Sequence, residues 1–214
     1  MTKADFLNKL RDRFSPDEID ETGLEDFLIQ ALDRYNKDSP RRCILSLAGN
    51  GTAYEWSLPD WDTSLSYLLS VEYPAERRIP VFLKRDYYIV VESDGSFKLR
   101  FLYATPSAAE KVEVVYATAH TVDDTKSTVP LPDFYAVVDF GSSLIARFLA
   151  SKYFRAAETY EVYQQTIDFG RKGENYIALA KAWEASYNNH VQRKLLVGDR
   201  IEPVSTFLER LRQL

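Results

Sequence analysis

Hydrophobic positions change period twice along this chain, from helical to alternating and back. Leu7, Leu10 and Phe14 fall on one side of a short amphipathic helix over residues 3–14. Ser15-Pro16-Asp17-Glu18 can open another turn, with serine three residues before glutamate and proline at the first position. Leu24, Phe27, Leu28, Ala31, Leu32 and Tyr35 then repeat at helical spacing. Thr22 and Glu25 precede that run as a capping box, and the helix reaches about Asn36 before Pro40 stops it.

From Cys43 the period is two. β-branched and aromatic residues predict strands at 43–47, 53–58, 65–73, 86–91, 96–104 and 111–119. Gly49-Asn50-Gly51 and Asp94-Gly95 supply the positive φ angles of tight hairpins. Pro59, Pro74, Pro80 and Pro106 fall between strands, where a missing N–H does no harm.

Beyond a polar connector at 121–128 the helical period returns over Leu131–Glu158. Phe134, Val137, Val138, Leu144, Ile145, Phe148 and Leu149 share a face with Gly141, and Pro132 suits the first helical position. At 1.5 Å per residue such a helix is roughly 35 to 40 Å long, so it needs partners along its whole length, and the other elements are expected to gather around it. Glycine in mid-helix costs about 1 kcal/mol against alanine. Gly141, beside Ser142 and Ser143, is therefore either a tolerated weak spot or a place where another backbone comes close. A looser stretch at 159–173 leads into a helix carrying Tyr176, Leu179, Ala180, Trp183, Tyr187 and Val191, which Val197-Gly198-Asp199 breaks. A last short helix from Pro203 presents Phe207, Leu208 and Leu211.

Helices, strands and helices in that order, with chain ends usually close together in a compact domain, predict an α+β fold. Residues 1–41 and 121–198 build a helical domain from both ends of the chain. An antiparallel β-sandwich or barrel at 42–120 is inserted between them, and 199–214 form a separate C-terminal segment.

Composition narrows the function classes. The 214 residues are 45% hydrophobic and 14% aromatic, the balance of a globular chain. No apolar run approaches the roughly 20 residues that cross a bilayer. The N-terminus MTKADFLNKLRDRF has neither an apolar signal core nor a small-residue cleavage site, so the protein is expected to stay in the cytosol of the cell that makes it. A single cysteine, Cys43, excludes a disulfide within the chain. A net charge of −5 argues against a general phosphate-binding surface, and the pairs Arg41-Arg42, Arg77-Arg78 and Arg171-Lys172 read as solvated surface.

Candidate chemistry is sparse. Asp139-Phe140-Gly141 and Asp168-Phe169-Gly170 spell the kinase metal-binding tripeptide without the glycine-rich loop or His-Arg-Asp segment that must accompany it. Asn50-Gly51-Thr52 spells a glycosylation sequon but reads as a turn. His120 and His190 have no carboxylate at a recognised ligand spacing. No catalytic residue, metal site or cofactor is therefore expected. Tyr54, Trp56 and Trp61 surround a Leu58-Pro59-Asp60 turn, with Tyr87 and Tyr88 in a nearby strand. They are either the sandwich core or, led by Trp56 and Trp61, a stacking platform of a ligand-binding module.

The segments "ALDRYNKDSPRR", "YEWSLPDW", "SVEYPAERRIPVFLKRDYYIV", "FLYATP", "VEVVYATAHTVDDTKSTVPLPDFYAVVDFGSSLIARFLA" and "NYIALAKAWEASYNNHV" succeed one another over about residues 20–192. In layout and in these loose motifs the chain resembles the head-to-tail adaptor, or neck connector, proteins of tailed bacteriophages and prophages. The resemblance implies a non-enzymatic virion subunit, made in the bacterial cytoplasm. Such subunits form a dodecameric ring under the portal protein, carry a docking surface for other neck or tail proteins, and let DNA pass without sequence-specific binding or contact with a membrane. It implies a portal-docking C-terminal segment, for which Phe207, Leu208, Leu211 and Leu214 are the apolar candidates, unless that helix folds back on its own bundle. Phe134, Val138, Gly141, Ile145 and Phe148 are the candidates for subunit packing. Another neck or tail position (terminator, stopper or baseplate) is the nearest alternative.

Overall fold

A computed structural model describes residues 1–197 apart from Pro16, Arg85 and 160–162, with side chains described outside 157–168 and 194–197. The chain divides into two compact units. One joins Met1–Ser39 to the described residues from His120 onward, and the other is Pro40–Ala119. The fold is α+β.

The helical unit contains α1 (Lys3–Arg11), α2 (Glu21–Asp38), a 3-10 turn at Leu131–Asp133, α3 (Phe134–Thr159) and α4 (Tyr163–Val197). The N-cap of α2 is Asp20, whose carboxylate accepts from Gly23 N at 2.8 Å, so the expected Thr22–Glu25 box is replaced. The reason is local: a carboxylate at the position preceding the helix takes the free N–H first, and Thr22 already lies within the first turn. α4 starts well before the expected end of the loose stretch. That stretch has few apolar positions to mark a period, but glutamine, arginine and lysine are good helix formers.

α3 is the centre of this unit. Val137, Val138, Ile145 and Leu149 are fully buried with Phe6 and Leu10 of α1, Ala31 and Tyr35 of α2, and Tyr187 of α4. At Gly141 a Cβ would stand 3.1 Å from Leu10 Cδ2 and 3.6 Å from Ala31 Cβ. What comes close there is the side chains of α1 and α2, not a backbone. Leu131–Ala156 is also long and apolar enough to cross a membrane, contrary to the expectation that no segment is. Its best window is 61% buried inside the protein, as befits a helix surrounded by others.

The β unit has two three-stranded antiparallel sheets, which are not closed into a barrel. β1 (Arg41–Ala48), β6 (Lys111–Thr118) and β3 (Tyr67–Glu72) form one in that order; β2 (Glu55–Ser57), β5 (Phe97–Phe101) and β4 (Tyr87–Val91) form the other. Leu58, Val71, Leu99, Phe101, Val112, Val114 and Tyr116 are the buried members of a core drawn from both sheets. Asp94-Gly95 makes the expected β4–β5 hairpin, with Gly95 at φ +81°. Gly49-Asn50-Gly51 makes none, because β1 pairs with β6 and β2 with β5. Gly49 instead lets the backbone of Pro106 and Ser107 pass: an added Cβ would lie 2.3 Å from Ser107 O. The segment carries the chain from one sheet to the other.

Candidate interaction surfaces

The most closely held polar groups are internal to the helical unit. Asp133, fully buried beside the start of α3, accepts from Tyr35 OH at 2.5 Å and lies 2.6 Å from His190 Nε2. Burial, and then the bond to Asp133, push the Tyr35 hydroxyl well above its usual range, so it remains a donor. Asn36 Oδ1 accepts from His120 N at 2.7 Å, and His120 Nδ1 lies 2.8 Å from Thr128 O. His190 thus has a carboxylate partner that its sequence spacing does not disclose. Among the described residues no group of three or more His, Cys, Asp or Glu is placed to hold a metal ion. The cluster ties α2, the turn before α3, and α4 together.

Asp139, of the kinase-like triplet, accepts from Arg13 at 2.7 Å and from Ser186 Oγ at 2.6 Å, and the Arg13 guanidinium stands 5.2 Å from the Trp183 ring centre. It is a cross-helix tie. The side chain of Asp168 lies outside the described residues. Glu18 accepts from the hydroxyls of Tyr153 at 2.6 Å and Tyr176 at 2.8 Å. Burial raises the Glu18 carboxyl, but these bonds outweigh it and leave it below its usual range. Beside Glu18 opens a cleft of about 560 Å³, between the 17–20 turn, the first turns of α2, and Phe148 and Lys152 of α3.

In the β unit, Trp56 stands edge-on to Phe101 with ring centres 5.2 Å apart, and Trp61 lies 5.8 Å from Tyr116. Both indoles pack against the core. The open sheet face carries Arg100, which pairs with Glu55 at 2.7 Å and lies 5.7 Å from Tyr54 and 5.9 Å from Tyr88. Hydrogen bonds from Arg100 first, then Lys98, hold the Glu55 carboxyl below its usual range.

Of the residues expected to pack subunits together, Phe134, Val138, Gly141 and Ile145 are buried in the unit's own core, and Phe148 is 49% exposed at the cleft. Phe207, Leu208, Leu211 and Leu214 lie outside the described residues. Sequence reading missed Ile79, Tyr103 and Leu131, exposed at 77%, 86% and 73%. Their signal was weak: a lone apolar residue beside proline or a strand end looks the same whether it faces water or a core.

The polar clusters hold the helical unit together, and large apolar side chains remain exposed on both units. No protein-family model matches the chain, and no curated protein matches it. Among solved structures it is similar to a chain in "Neck of empty GTA particle computed with C6 symmetry", with 14% identity, 83% of this chain and 87% of that chain covered, and a TM-score of 0.31.

Proposed function

We propose that this chain is a structural subunit of the neck of a phage-like particle. In this reading it is a head-to-tail adaptor that forms a dodecameric ring beneath the portal and joins capsid to tail. It has no catalytic role and uses no cofactor. The observation that carries the reading is the set of large apolar side chains left exposed on both units, Ile79 and Tyr103 on one and Leu131 and Phe148 on the other. Ile79 stands with Val81 and Phe82 in one exposed stretch, and an exposed apolar patch of this kind is what protein contacts use. The order of segments and their motifs, which resemble neck adaptors, supports the same assignment.

The mechanism is assembly. Modest contacts repeated around a closed ring act together, and an acidic balance of −5 disfavours sticking to DNA that passes through the ring. In this reading the C-terminal segment docks the portal through the apolar side chains Phe207, Leu208, Leu211 and Leu214. Phe207→Ala combined with Leu211→Ala is expected to leave the circular dichroism spectrum unchanged and to weaken portal capture at least tenfold. Unchanged capture would remove the docking role.

A further inference from the structure

On the neck-ring reading, each subunit presents two different surfaces, because a ring closed by rotation repeats a head-to-tail contact. The β unit carries one surface that its own core does not use. Between β3 and β4 the chain folds back along β3: Tyr73 N donates to Val81 O at 2.9 Å, and Leu83 N donates to Val71 O at 2.8 Å. These bonds hold the backbone of the arm. Residues 77–82 are nevertheless all exposed, including Ile79, Val81 and Phe82, with Arg77, Arg78 and Lys84 beside them. Apolar side chains held outward on a fixed backbone and flanked by cations suit a partner with an apolar floor and an acidic rim.

The cleft of the helical unit has that character. Ile19, Phe27 and Phe148 supply its apolar lining, with the two phenyl rings 5.8 Å apart. Among the described residues, Asp17, Glu18, Asp20 and Asp26 line it with Lys152, and Lys172 acts on Glu18 from outside the lining. A volume of about 560 Å³ is within the range of clefts that enclose a ligand of several side chains' bulk.

We propose that the arm of one copy docks in the cleft of a second copy, with Ile79 and Phe82 against Phe27 and Phe148, and Arg77 and Arg78 facing Asp17 and Asp26. Charge complementarity selects the occupant: the basic, apolar arm and the acidic, apolar cleft are carried by the same polypeptide. Each copy then gives its arm to one neighbour and its cleft to the other. The contact weakens with salt, since its charged rim is exposed.

The test uses the full-length chain, free and with portal oligomer. Charge reversal of the arm (R77E with R78E) or of the cleft (D17K with D26K) is expected to weaken self-association at least tenfold. The chain carrying all four changes recovers it, and the two separately reversed chains assemble with each other although neither assembles alone. Independently, Ile79→Cys with Gln30→Cys in a Cys43→Ser background is expected to give a ladder of cross-linked chains on mild oxidation, which neither single cysteine gives. No ladder in either condition, a link formed within one chain, or indifference to both reversals overturns the proposal. A wild-type chain that rings with the portal but ignores the reversals keeps the neck reading and removes this contact. A chain that gives the ladder but never joins a portal keeps the contact and removes the neck reading.

Discussion

In the helical unit the polar side chains with the most demanding geometry lie inside; in the β unit they lie on an open sheet face. Asp133 is buried with Tyr35 and His190 on its two oxygens. Glu55, Lys98, Glu92 and Arg100 form a comparable charged set, but their side chains are all about 30% exposed. A buried carboxylate is costly unless every bond is made, so the first set dictates how helix ends meet. An exposed set adds little energy and leaves the face adaptable. The helical unit is built to hold one arrangement. The β unit leaves its apolar arm and its sheet face exposed.

The largest effect that follows is on Asp133. Asp133→Ala takes one partner from the buried Tyr35 hydroxyl and one from the half-buried His190, and is expected to cost about 3–5 kcal/mol in urea unfolding. A loss below about 1 kcal/mol would erase the contrast between the units. Core truncation sharpens it next: Leu149→Ala in the helical unit and Leu99→Ala in the β unit should each cost about 2–5 kcal/mol. Trp183 reports on the first unit and Trp56 with Trp61 on the second, so fluorescence of tryptophan-to-phenylalanine backgrounds follows them separately. Both probes moving together for either substitution would show one cooperative block in place of two.

A smaller, pH-dependent effect is expected at Glu18. Its folded pKa lies below the ordinary 4.5, so its contribution is complete above that value and is lost as pH falls through the lowered one. Glu18→Gln should cost about 1–2 kcal/mol at neutral pH, and the difference from wild type should close under acid conditions. A penalty that persists unchanged at low pH would place the effect in packing. The smallest effect is expected on the β-unit face, where Arg100→Ala changes the urea midpoint least and salt reduces the difference further. A loss as large as that at Asp133 would break the comparison from the other side.

Local pattern disclosed the elements well. Alternation from Cys43 to Ala119 located all six strands, and helical spacing located α1 to α4, because each signal lies within a few residues of sequence. Pairing was less visible. Gly49-Asn50-Gly51 has hairpin chemistry, but whether β1 meets β2 or β6 is decided by contacts 63 to 77 residues away. The Asp133–His190 tie joins residues 57 apart. Phe134, Val138, Gly141 and Ile145 are apolar or small at helical spacing, which marks a buried face without saying whether the chain itself or a second copy buries it. The arm is the converse case: Arg77-Arg78 reads as solvated surface, and nothing local marks Ile79 and Phe82 as held outward beside it.

The measurement closest to the central claim is the native mass of the full-length chain, alone and after mixing with the portal oligomer of the same genome. An assembly subunit of the neck gives a portal-dependent complex carrying a ring of twelve copies. A chain that remains a monomer at every ratio of portal to subunit would contradict the account.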